Sequence, residues 1–178
     1  MPKLILLRGN SGSGKTTTAR RLQETFGSNT MLISHDMIRR DMLYTAGQEG
    51  VRRSLPLMTA LLQYGHQHSE VTILEGILST KHYQELFETA ASLFGDEIYA
   101  YYYDLPFEET VRRHRTRPSR DEFGEEELRS WWLEKDFLPM IAETILTQAD
   151  QPDETVERIY RDVMDARRDT CHGAAKSL

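Results

Sequence analysis

Gly9-Asn10-Ser11-Gly12-Ser13-Gly14-Lys15-Thr16 fits the pattern G-x-x-x-x-G-K-[ST] at every position. An apolar run of strand length, Lys3 to Leu7, precedes it. Behind it, Lys15 to Phe26 places Ala19, Leu22 and Phe26 at helical spacing until Gly27 supplies a helix stop. The stretch therefore reads as strand, loop, helix. Glycines permit positive φ and bring backbone N–H groups against phosphate oxygens, while the free N–H groups and dipole at the helix start add positive potential. In such a loop the Lys15 ammonium reaches the β- and γ-phosphates and the Thr16 hydroxyl holds Mg²⁺. Gly9 to Thr16, with Thr17 behind them, are the residues expected to bind a nucleotide. The bland alternative is an ordinary glycine turn before a helix.

Outward from this loop the same alternation recurs. Strands are expected at Thr30 to Ser34, Val71 to Glu75, Ile98 to Tyr103 and Glu143 to Leu146. Between them lie helices from about Met37, at Val51 to Gln67 with Pro56 kinking or beginning it, Lys81 to Phe94, Phe107 to His114, Glu125 to Lys135 and Glu154 to Ala166. Parallel strands need crossover connections, so five short apolar runs separated by helices predict a doubly wound α/β domain with a five-stranded parallel sheet. The expected division is one domain over residues 1–168, with an arginine-rich lid at about 115–135, and a disordered tail at 169–178.

The chain has 178 residues, one domain's worth, with 39% hydrophobic residues and no apolar run near the length that crosses a membrane. The opening apolar run is too short for a secretory leader, so the cytosol is the expected compartment. Cys171 is the only cysteine, which excludes paired-thiol redox chemistry and a thiolate zinc site. Lys and Arg total 22 against 28 for Asp and Glu, a net charge of -6, which argues against a protein that coats long nucleic acid.

On these residues the chain resembles the P-loop kinases of the nucleoside, gluconate and small-molecule phosphotransferase group, and several stretches are similar to the kinase domain of polynucleotide 5'-kinases and to chloramphenicol phosphotransferase. The similarity spans about residues 3 to 165. It implies a nucleoside-monophosphate-kinase-like fold that uses ATP and Mg²⁺.

The remaining polar positions must say what receives a phosphoryl group. Asp36, in Ser34-His35-Asp36-Met37-Ile38-Arg39, stands where the second strand meets a helix, and ligands of open parallel sheets bind outside the carboxyl ends of the strands. A hydroxyl is a weak nucleophile until a base takes its proton, and the resemblance implies that Asp36 is that base and Arg39 steadies the acceptor or its phosphate. An N-cap role for Asp36 is the alternative, and His35 reads as a surface or packing bystander. Glu75 ends an apolar strand and could hold a Mg²⁺-bound water or a substrate group, or cap the following turn. Five arginines lie between Arg112 and Arg120. Such a run is ordinarily a solvated face, but the resemblance makes it a lid with Arg113 and Arg117 facing phosphate, and extends through Leu128-Arg129-Ser130. Trp131 and Trp132 follow on the expected lid helix, where core packing is the default for each. Arg52, Arg53, His82 and Tyr83 fall where related kinases build an acceptor pocket.

The sequence thus points to an ATP- and Mg²⁺-dependent kinase acting on the hydroxyl of a nucleoside, a sugar-like alcohol or an antibiotic. A polynucleotide 5'-hydroxyl kinase, disfavoured by the acidity, and a nucleotide-dependent binding module are the rivals. Nothing in the sequence speaks to oligomeric state.

Overall fold

The computed structural model describes residues 1–116 and 124–173, with side chains up to Asp165. Its strands are β1 (Lys3–Gly9), β2 (Thr30–Ser34), β3 (Val71–Gly76), β4 (Ile98–Tyr103) and β5 (Glu143–Leu146). They form one sheet of order β2-β3-β1-β4-β5 in which every pairing is parallel. The helices are α1 (Lys15–Phe26), α2 (His35–Met37), α3 (Gly47–His68), α4 (Gln84–Phe94), α5 (Phe107–Arg115), α6 (Glu125–Ser130) and α7 (Pro152–Gly173). No helix among the described residues is long and apolar enough to cross a membrane.

β1 is the middle strand of the five, and each of its residues is buried. Its side chains alternate between two cores, as the strand period requires. Leu4 and Leu6 pack with Met58 and Leu62 of α3 and with Leu86, Phe87 and Ala90 of α4. Ile5 and Leu7 pack with Ala19 and Leu22 of α1 and with Val156, Ile159 and Val163 of α7. The link from β1 to β2 thus crosses one face of the sheet, and the links from β2 to β3 and from β3 to β4 cross the other. The strand order turns back at β1, so a crevice opens at its carboxyl end. α1 stops where the sequence requires: Gly27 adopts φ 77° and donates its N–H to Gln23 O at 3.0 Å.

Several helix bounds differ from the sequence reading. α2 begins at His35 and runs into a π-helical turn over Ile38–Met42, in which Leu43 N–H bonds Ile38 O. α3 begins four residues early and carries Pro56 in its interior, whereas α4 begins three residues late. α6 stops at Ser130 instead of continuing to Lys135. The cause is tertiary, because the N–H of Leu133 that a longer helix would use goes to the Asn10 side chain at 2.9 Å. α7 starts on Pro152 and runs past Ala166 to Gly173, into the stretch read as the start of the tail. Residues 174–178 lie outside the described residues.

The expected end of β1 at Leu7 is also corrected. Arg8 continues the strand, 1% exposed, with its guanidinium fully engaged. It forms a fork with Glu143 of β5 at 2.8 and 3.0 Å, donates to Leu78 O at 2.7 and 2.9 Å, and meets Asp136 O and Oδ2 at 2.9 and 2.8 Å. The guanidinium also lies over the rings of Phe87 and Tyr102, 5.1 and 5.5 Å from their centroids. The Glu143 side chain is 2% exposed, so removing the cation would strand a buried carboxylate. Arg8→Ala is expected to lower unfolding stability by about 3–5 kcal/mol, seen as a lower urea midpoint with an unchanged slope.

Candidate active site

The loop from Gly9 to Gly14 leaves the crevice end of β1 and turns into α1. Gly12 (φ 81°) and Gly14 (φ 104°) both lie in the left-handed region, and a Cβ on Gly12 would stand 2.7 Å from Thr110 O. Lys15 is buried and folds back across the loop, donating to Asn10 O at 2.8 Å and to Ser13 Oγ at 3.2 Å. Asn10 and Leu133 exchange two bonds, Nδ2 to O at 2.8 Å and N–H to Oδ1 at 2.9 Å. What Asn10 has left for a phosphate is therefore its backbone. Ser11 is half-buried and faces the adjoining cleft, whereas Thr17 is exposed on α1.

Parallel register puts Glu75 beside Leu7 on one side and Ser34 on the other. The buried carboxylate accepts from Ser34 Oγ at 2.5 Å and from Thr16 Oγ1 at 3.2 Å to each oxygen. Ser34 is a member of this group that the sequence reading missed, although its place at the end of β2 was the signal. The hydroxyl of Thr16 and the carboxylate of Glu75 form a hard, all-oxygen donor pair at the helix N-terminus. That chemistry fits Mg²⁺, which takes one or two protein oxygens and completes its shell with phosphate and water. Among the described residues no group of three or more His, Cys, Asp or Glu could hold a metal.

Asp36 and Arg39 share a cleft of about 750 Å³ beside the loop. Asp36 occupies the second position of α2, not its N-cap, and its carboxylate makes no hydrogen bond or ion pair among the described residues. Arg39 donates to Gly47 O at 3.3 Å. Its Nε and the Thr45 Oγ1 are buried without a partner, and both lie within 3.0 Å of the place a Cβ would take on Gly50. His82 and Tyr83 line the cleft as expected. Arg52 and Arg53 instead bond Glu49 on α3, holding its carboxyl at about 2.

His35 is the floor of the cleft and is 2% exposed. The packing half of its expected role holds, and the surface half does not. Gly76 gives it room: a Cβ there would lie 2.5 Å from the His35 Cβ. Its Nε2 meets Tyr83 Oη at 2.5 Å, Tyr83 Oη meets Ser54 Oγ at 3.3 Å, and Nδ1 has no partner. Burial pushes the imidazole down to about 4; Asp36 opposes the shift, and Arg39 and Lys15 add to it.

Of the arginine run, Arg113 reaches the phosphate loop, donating Nη1 to Ser13 O at 2.9 Å while its Nε holds Glu109 at 2.6 Å. Arg112 also pairs with Glu109, and the two guanidinium groups hold that carboxyl at about 2. Arg117 and Arg120 lie outside the described residues. Arg129 is spent on the Phe107 ring, 4.1 Å from its centroid, and pairs with Glu125. Neither tryptophan is a core residue. Trp131, 44% exposed, sits on the turn that closes α6 and lines the cleft, and Trp132 stands edge-on to Phe107 and donates to Glu134.

The model of a family described as an AAA domain matches residues 4–132. The chain belongs to this family. No curated protein sequence matches significantly. Among solved structures, this AAA-domain chain superposes on a gluconokinase from Sinorhizobium meliloti 1021 with TM-score 0.62 at 16% identity, covering 97% of each chain. An APS kinase from Mycobacterium tuberculosis, in complex with AMPPNP and APS, gives 0.60 at 19%, covering 92% of this chain and 98% of that one. A shikimate kinase from Acinetobacter baumannii, in complex with shikimate, gives 0.55 at 18%, with coverages of 93% and 95%. The fold is that of P-loop kinases.

The state of His35 makes stability depend on pH. Between about pH 6.5 and 4 the unfolded chain binds a proton that the folded chain refuses, so stability is full above 6.5 and falls as the medium is acidified through this window. The loss amounts to about 3 kcal/mol by pH 4. Urea midpoints at pH 7 and 4.5 should converge in His35→Gln by most of that amount relative to the parent.

Proposed function

We propose that the chain is an ATP- and Mg²⁺-dependent phosphotransferase that moves the γ-phosphoryl group to the hydroxyl of a small molecule. The observation that carries this reading is the placing of an unpaired carboxylate, Asp36, in the cleft that Ser11 of the phosphate loop also lines. The kinase folds on which the chain superposes, one of them with AMPPNP, support the nucleotide and the reaction type.

Each residue would act at a stated atom. The backbone N–H groups from Gly9 to Gly14 and the Lys15 ammonium hold the β- and γ-phosphates once Lys15 Nζ leaves its bonds within the loop. Thr16 and Glu75 would hold Mg²⁺, which when bound neutralises charge on the phosphate oxygens. Asp36 accepts the acceptor's hydroxyl proton as its oxygen forms the new bond to the γ-phosphorus. The bond from that phosphorus to the bridging oxygen of ADP breaks in the same displacement. Arg113, already at Ser13 O, meets charge developing on the equatorial oxygens, and Arg39 orients the acceptor; Arg117 is proposed with Arg113. Most of the catalysis is positioning and electrostatics.

Asp36→Asn should lower kcat by about 10²-fold or more and leave the nucleotide Kd unchanged, because the amide keeps the shape and cannot take a proton. Lys15→Ala should lose both nucleotide affinity and turnover. A panel of metabolite and antibiotic alcohols, read by ADP release with product mass, tests both. Full turnover by Asp36→Asn would remove the base. Tight nucleotide binding with no transfer to any alcohol would make the chain a nucleotide-binding module.

A further inference from the structure

The cleft beside Asp36 has the volume of a small-molecule site, and its lining says what kind of molecule fills it. Asp36, Arg39 and Thr45 supply polar atoms from the segment between β2 and α3. Much of the remaining wall is apolar: Val51 from α3, Ile77 and Tyr83 from the connection after β3, and Trp131 with Leu133 from the segment after α6. Trp131 is the widest of these surfaces and is nearly half exposed.

The aromatic platform is built in advance. Leu133, two residues beyond Trp131, is fixed to the phosphate loop by two hydrogen bonds with Asn10. Asp136, three residues further on, is tied to Arg8 at the end of β1 and accepts from Thr80 N at 2.9 Å and Thr80 Oγ1 at 2.5 Å. The Ile77–Thr80 wall and the Trp131–Leu133 wall are thereby tied to the phosphate loop and to the end of β1. Ser79, His82, Glu127 and Ser130 also line the cleft, yet an open-chain polyol in this space would press part of its hydroxyls against Val51, Ile77 and Leu133, whose side chains have no donors or acceptors, and lose bonds to water there. A flat ring instead gains from leaving water and from the tryptophan face.

We infer that the acceptor is a ring-bearing alcohol whose planar, largely apolar ring lies against Trp131 and the Val51–Ile77–Tyr83 wall while its hydroxyl arm reaches Asp36. The hydroxyl arm rests on the phosphotransferase reading; the ring rests on the cleft alone.

The test uses benzyl alcohol and thymidine as ring probes, and gluconate and glycerol as open-chain probes. Binding is read by tryptophan-selective excitation of the MgAMPPNP-loaded Trp132→Phe protein, in which Trp131 is the single tryptophan. Ring probes should quench it, and open-chain probes at ten times the concentration should not. With MgATP and the parent protein, ring alcohols should show kcat/KM at least about tenfold above the open-chain alcohols. Trp131→Ala should raise the ring-alcohol KM about tenfold with kcat and nucleotide Kd unchanged, and Trp131→Phe should restore most of it. Ring probes that neither quench nor react, equal or better use of gluconate or glycerol, or a Trp131→Ala protein with an unchanged ring-alcohol KM would each overturn the inference. Quenching by ring probes with no alcohol phosphorylated would sustain the ring site and sink the phosphotransferase reading. Phosphorylation confined to the open-chain alcohols would do the reverse.

Discussion

Between β1 and α1 the chain must turn sharply while keeping its amide hydrogens free of internal partners, and that requirement organises the molecule. A strand feeding a helix through left-handed glycines leaves the first N–H groups of the helix facing outward, where only an anion or water can satisfy them. The turn needs support on every side, which the neighbouring elements give: Thr110 closes on Gly12, Arg113 bonds Ser13 O, and Lys15 bridges the loop from beneath. β1 can occupy the centre of the sheet only because it is apolar on both faces. Its central place is what puts the loop at the turn-back of the strand order.

Around that loop the polar groups divide into two sets with different duties. Arg8, Asp136, Glu143 and Asn10 are saturated with partners and fix distances. Asp36, Arg39 and Thr45 have few or none, and they face the cleft. A half-buried guanidinium whose Nε lacks an acceptor is costly in an isolated protein, and under the proposed function it is the acceptor molecule that would complete the bonding. The saturated set makes this affordable by holding the walls rigid.

Much of this was legible from the chain. β2, β4 and β5 run between the residues at which their apolar runs begin and end, and the strand, loop and helix around Gly9–Thr16 follow from local chemistry. Asp36 and Glu75 reach the loop region because strand ends and helix starts are local features, whereas Arg113, in the last turn of α5, reaches it through its contact with Ser13 O. What could not be read depends on partners far along the chain. Arg8 looked like the end of a strand, since a buried guanidinium is tolerable only with carboxylates that lie 128 and 135 positions away. The end of α6 is set by Asn10, 123 positions earlier, and both tryptophans lie beyond that end. The depth of His35 depends on the absent side chain of Gly76 across the sheet, which the neighbours of His35 in sequence do not reveal.

The pairing of Arg8 with Glu143 also ties the first strand to the last. The guanidinium of β1 is fully compensated only when both Asp136 and Glu143, far along the chain, are in place. The contact joins residues 135 positions apart, and non-local closures of this kind are slow to form. A fragment ending before residue 143 would retain every residue of the nucleotide loop and lack the clasp that seats it, so an isolated loop-and-helix piece is a poor stand-in for the whole molecule.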